Sequence, residues 1–156
     1  MGRIDTIDRR TDVVLLLFGY QSEIHGVTRL QKLLFLIEQE TEFFQQYGEA
    51  VAFEFAPYKM GPFSEHVYEE IEFLDALGAI TTDSTGDRRL FTLTPKGEKI
   101  AAEVESQLEP PYREELRELV DAYGELPLTE LLEYVYSEYP TYTTESEIIE
   151  DLDVRS

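Results

Sequence analysis

The chain predicts an α+β fold with a winged helix-turn-helix core, a small antiparallel sheet and a C-terminal helical extension. Three observations predict it. Residues 61–80, GPFSEHVYEEIEFLDALGAI, read as a capped amphipathic helix closed by a glycine. The next stretch holds two strand-like runs around the turn-rich Asp83-Ser84-Thr85-Gly86-Asp87. Thr94-Pro95-Lys96-Gly97-Glu98 then opens another helix. Helix, glycine stop, hairpin and helix follow one another as in a winged domain, a class that generally regulates and rarely catalyses.

In chain order, residues 1–10 are a charged lead-in, and Thr11 or Asp12 is placed to cap a helix carrying Val13, Leu16, Leu17 and Tyr20. Ile24-His25-Gly26 reads as a connector and Thr28 as the cap of a second helix. There Leu30, Leu33, Leu34, Phe35, Leu36 and Ile37 are apolar nearly all round, which marks the central buried helix, with Arg29, Gln31 and Lys32 pointing outward. Phe43, Phe44 and Tyr47 continue the core before Gly48. Val51, Phe53 and Phe55 alternate with Ala52, Glu54 and Ala56, the period of a strand that Pro57 ends and that pairs with the later hairpin. After Gly61-Pro62, Ser64 is the cap, Val67, Ile71, Leu74 and Leu77 form one apolar stripe, and Gly78 is the stop. Pro110-Pro111 divides a winged-helix domain, 1–109, from a helical extension, 110–156, within the same globule. The extension reads as helices over 112–123 and 128–139, ended by Gly124 and Pro140, and then a short helix or frayed end containing IIEDLDV.

Composition narrows the function classes. No apolar run is long enough to span a membrane, no secretory leader is legible, and the absence of cysteine excludes disulfides and thiolate metal sites, so a cytoplasmic protein is expected. Against 13 basic residues stand 33 acidic ones, a formal net charge of -20. Such a balance is the surface of a salt-adapted, halophilic protein, or else a decoy for nucleic acid or a surface for a basic partner. The first reading is favoured, because the acids alternate with apolar positions as solvent-facing residues do.

Three segments carry a family likeness: VTRLQKLLFLIEQE, FEFAPYKMGPFSEHVYEEIEFLDALGAI and LTELLEYVYSEYPTYTTES. A Lys-Leu-Leu helix, a Pro-Tyr-x-x-Gly-Pro-Phe-Ser element and a Leu-Leu-x-Tyr-Val-Tyr-x-x-Tyr-Pro helix together resemble small prokaryotic winged-helix proteins related to the Panacea domain, which is SocA-like and antitoxin-associated. The acidic composition gives this relative an archaeal, halophilic look. The resemblance covers about two-thirds of the chain and implies a non-enzymatic regulatory or interaction module. Where the family pattern commonly has Trp before its Tyr-Gly-Pro, this chain has Ala56-Pro57-Tyr58-Lys59-Met60-Gly61-Pro62.

The helix over 64–77 is where a winged domain reads DNA, yet it has no Arg, Lys, Asn or Gln to meet base edges. It carries Glu65, Glu69, Glu70, Glu72 and Asp75, with His66 as its one possible cation. A protein-binding surface of Tyr58, Met60, Phe63, His66 and Tyr68 is therefore preferred, amphipathic and adaptable side chains being suited to interfaces. The bland alternative makes the aromatic cluster a structural corner. A DNA-binding regulator using Arg29, Lys32, Lys59, Arg88 and Arg89 is the second reading. Tyr134, Tyr136, Tyr139 and Tyr142 serve either self-association as a homodimer or internal packing. Enzyme readings are weak: His25 and His66 are the only histidines, Ser64-Glu65-His66 is no triad, and no phosphate loop is present. No catalytic residue, cofactor or metal is expected, and no membrane partner.

Overall fold

The computed structural model describes residues 9–58, 61–84, 86 and 89–142; of Tyr47, Gly48, Glu49 and Ala50 it describes the backbone. Lys59, Met60, Arg88 and the IIEDLDV stretch lie outside the described residues. The architecture is α+β. Helix α1 (Arg10–Tyr20) buries Val13, Val14, Leu15, Leu16, Leu17 and Phe18, so it is apolar on every side and surrounded by other helices. Helix α2 (Val27–Glu40) is the second buried rod, with Leu30, Leu33, Leu34, Phe35, Leu36 and Ile37 in the core.

Two side chains expected to point outward from α2 point inward instead. Gln31 and Lys32 are 1% and 2% exposed. The reason is what lies above them: a backbone segment whose polar groups need partners once buried. The Gln31 amide donates to the Ser64 carbonyl and accepts from the Ser64 N–H, both at 3.0 Å. The Lys32 ammonium donates to the Pro62 carbonyl at 3.1 Å.

Helix α3 (Glu42–Val51) starts at Thr41, whose hydroxyl accepts from the Phe44 N–H. The Glu115 carboxylate accepts from the Glu42 and Phe43 N–H groups at 2.7 and 3.0 Å, an anion where the helix dipole is positive. The strand expected over 51–56 does not form. Val51 ends α3, and Glu54 turns into the left-handed region at φ 59, which breaks the extended run. Phe53 and Phe55 instead fill space beside α2, the Phe55 ring standing edge-on to Phe35 at 5.4 Å.

After Phe55 the chain forms a separate ribbon, β2 (Ala56–Tyr58) against β3 (Gly61–Phe63), with Pro57 opposite Pro62. Neither proline has an N–H to donate, which suits a ribbon of two strands and not the middle of a sheet. The main sheet takes its third strand from the segment read as a connector: β1 (Glu23–His25) pairs with β5 (Leu90–Leu93), and β5 with β4 (Ile80–Asp83), all antiparallel in the order β1-β5-β4. Helix α4 (Glu65–Leu77) precedes that hairpin. Ser64 caps it, Gly78 closes it at φ 85, and Val67, Ile71 and Leu74 are buried, whereas Leu77 is exposed. This helix, hairpin and third strand are consistent with the winged arrangement.

Helix α5 (Pro95–Ser106) is capped by Thr94 and packs on α1. A Cβ at Gly97 would fall 2.0 Å from the Ala79 carbonyl oxygen, so only glycine lets α5 approach the backbone just before β4. Helices α6 (Pro110–Tyr123) and α7 (Leu128–Glu138), with a final turn at Pro140–Tyr142, put Leu116, Val120, Leu131 and Val135 into the same core as α1 and α2.

Candidate protein-binding surface

Three elements bring an aromatic run to the surface. Tyr58 on β2, 54% exposed, stacks at 5.0 Å on Phe63 of β3, and Phe63 lies 5.8 Å from Tyr68 on α4. The run is held from beneath, because Lys32 and Gln31 of α2 bind the backbone at Pro62 and Ser64 on either side of Phe63. The Ser64 hydroxyl also donates to the Phe53 carbonyl at 2.5 Å while accepting from the His66 N–H. One exposed ring, Tyr58, and two half-buried ones, Phe63 and Tyr68, therefore stand on a backbone fixed by buried hydrogen bonds.

His66 does not join them. Two positions from Tyr68 on a helix turning about 100° per residue, it faces another side. Its Nε2 lies 2.9 Å from Glu54 and its Nδ1 3.1 Å from Glu69. Hydrogen bonds to Glu69 and then Glu54 hold its pKa above the usual 6.5. The positive φ of Glu54 brings that carboxylate within reach of both His66 and, at 3.8 Å, Arg10.

Sequence reasoning misses two apolar residues as surface features. Phe73, 52% exposed, and Leu77, 36% exposed, are four residues apart on the outer face of α4. A signal for the first is legible, since Phe73 falls off the stripe formed by Val67, Ile71 and Leu74. Leu77 reads as the end of that stripe, and only the fold shows that it is exposed.

The basic residues do not assemble into one described patch. The Lys32 ammonium is buried on Pro62, and Arg29 donates to the Gly124 carbonyl at 3.2 Å. Arg89 is exposed and its carbonyl accepts from the Gly26 N–H. Arg29 borders an open cleft of about 540 Å³ that Glu23 and Glu125 also line, and their carboxylates oppose an anion there. Among the described residues no group of three or more His, Asp or Glu is placed to hold a metal, and no helix is long and apolar enough to cross a membrane.

The C-terminal tyrosines close the same assembly. Glu40, at the end of α2, accepts hydrogen bonds from the hydroxyls of Tyr134 at 2.5 Å, Tyr139 at 2.6 Å and Tyr123 at 3.1 Å. Burial first, and the Glu40 carboxylate next, raise the pKa of Tyr134 and Tyr139 above the usual range. Tyr139 and Tyr142 also set their rings edge-on to Phe35. All three motif segments thus meet on α2: Lys32 and Gln31 hold the Gly-Pro-Phe-Ser element, and Glu40 and Phe35 hold the tyrosine helix. The model of the family described as antitoxin SocA-like, Panacea domain, matches residues 30–140.

The chain belongs to the Panacea domain family.

The Panacea match runs from Leu30 on α2 to Pro140 beyond α7 and so takes in the contacts of Gln31, Lys32 and Glu40 with the other two motifs, while the Phe35 partner Tyr142 lies just past its end. Helix α1 and strand β1 precede it, although both complete the core and the sheet. No curated protein and no solved structure matches the chain significantly.

Proposed function

We propose that this Panacea domain is a non-catalytic regulatory module that acts by binding a protein, as an antitoxin or an adaptor does. The observation that carries the reading is the aromatic run Tyr58–Phe63–Tyr68, exposed at Tyr58 and seated on a backbone fixed by Lys32 and Gln31. Anchors already in place lose little freedom on association, which favours a specific interface. Membership of an antitoxin family supports a protein partner. The DNA-binding reading draws less support, because Lys32 and Arg29 are committed to backbone carbonyls and α4 carries Glu65, Glu69 and Glu72 at its exposed positions.

The test is co-purification of the full chain with the protein encoded beside it, wild type against Tyr58→Ala. The variant should stay within about 0.5 kcal/mol of wild-type stability, as exposed substitutions do. It should weaken partner binding by about tenfold or more, the loss of one interface anchor. Equal recovery of the partner by both proteins, or retention of upstream DNA in place of protein, overturns the reading.

A further inference from the structure

The outer face of α4 has a definite layout. At about 100° per residue, Glu65, Glu69, Glu72 and Ala76 form its central ridge, and all four are exposed. Phe73 and Leu77 lie along one flank of that ridge, while Tyr68 lies along the other, beside Phe63. The helix contains no Lys or Arg. Described cations beside it are engaged: His66 lies between Glu54 and Glu69, Arg10 also pairs with Glu54, and the Lys96 ammonium donates to the Leu77 carbonyl at 2.7 Å, at the helix end where the dipole is negative.

An exposed phenylalanine and leucine next to a row of carboxylates restrict what can cover them. A second copy placing α4 on α4 sets carboxylate against carboxylate with no Lys or Arg of either helix to answer, and with His66 already held by Glu54 and Glu69. Nucleic acid meets the same repulsion. Only an occupant with apolar side chains spaced to meet Phe73 and Leu77, and positive charge beside them, satisfies both features.

We infer that the outer face of α4 docks a cationic amphipathic segment of the partner protein, whose apolar residues cover Phe73 and Leu77 and whose Lys or Arg side chains meet Glu65, Glu69 and Glu72. The inference rests on the protein-partner reading above and supplies the partner's chemistry. It also gives part of the acidic surface a use beyond hydration, since charge of one sign on a docking face speeds encounter and rejects wrong partners.

The test is backbone amide NMR of the full chain during titration with a synthetic amphipathic helix of leucine and lysine, and with its leucine–glutamate counterpart, at low and molar KCl. The lysine peptide should move amides over 65–77, weakening as salt rises, and the glutamate peptide should not. Phe73→Gln/Leu77→Gln, which leaves the buried stripe intact, should bind the lysine peptide about tenfold more weakly. Glu65→Lys/Glu72→Lys should exchange the preference between the two peptides. No response to the lysine peptide, shifts spread evenly over the acidic surface, or unchanged affinity in the glutamine variant overturns the inference. Shifts centred on Tyr58, Phe63 and Tyr68 with α4's outer face silent also overturn it, and leave the protein-partner reading standing. Binding of duplex DNA with no response to either peptide defeats both.

Discussion

Lys32 shows how far one residue's role depends on its surroundings. Read in sequence it is a cation at the start of a helix; in the fold its ammonium lies under β3 with the Pro62 carbonyl as acceptor. Lys32→Ala leaves that carbonyl without its donor and removes a buried stem, so urea unfolding should show a loss of about 1–3 kcal/mol. Glu38 makes a second case. Burial pushes its carboxyl from an ordinary 4.5 up to about 7, against the lowering effects of the Phe53 N–H, which it accepts at 2.7 Å, and of Arg10. A folded-state pKa above the unfolded one means that the native protein holds the proton more tightly. This group's contribution therefore falls as pH rises from about 4.5 to about 7 and is flat above. His66, raised by Glu69 and Glu54, acts in the same direction from pH 6.5 upward. Glu38→Gln should remove the first slope and keep the second, which chemical denaturation at pH 5, 6, 7 and 8 separates; identical slopes in both proteins would rule the assignment out.

At the scale of elements, α2 organises the rest. Its early residues Gln31 and Lys32 seat the β2–β3 ribbon and the start of α4, its middle residue Phe35 packs against Phe55, Tyr139 and Tyr142, and its last residue Glu40 holds α6 and α7 through three hydroxyls. Glu40→Ala removes one acceptor from three donors at once. Hydrogen bonds to a charged group are worth about 1.5–3 kcal/mol each when fully buried, and these tyrosines are only partly so. A loss of about 2–3 kcal/mol is therefore expected, with faster amide exchange confined to α7 and the end of α6. Exchange that quickens equally across α1 would show that Glu40 supports the whole core rather than its C-terminal helix. Several element boundaries were legible because they rest on local chemistry: Ser64 and Thr94 cap through their hydroxyls, and Gly78 stops the helix because it lacks a Cβ. The sheet was not. β1 and β2 are three residues each, too short for a period to announce them, and the clear alternation over 51–56 was undone by a single positive φ at Glu54.

Across the whole molecule, charge dominates. At a net -20 the folded state repels itself in dilute buffer, and the Debye length falls from roughly 10 Å at 0.1 M salt to roughly 3 Å at 1 M. Thermal unfolding across a KCl series should show the midpoint rising steeply up to about 1 M and more gently beyond; a midpoint independent of salt would mean that self-repulsion is not a major destabilising term. Fold class, the order of every described α-helix but α3, and the family were readable from sequence, since they depend on the period of apolar residues, on capping residues and on motifs of adjacent residues. The partnership of Lys32 with Pro62 and of Glu40 with three tyrosines, and the separation of His66 from Tyr68, depend on contacts between residues far apart in the chain or on which side of a helix is covered. Tertiary structure alone decided these, because a polar side chain turns inward only when a buried backbone group is there to receive it, and an apolar one stays exposed only when nothing packs above it.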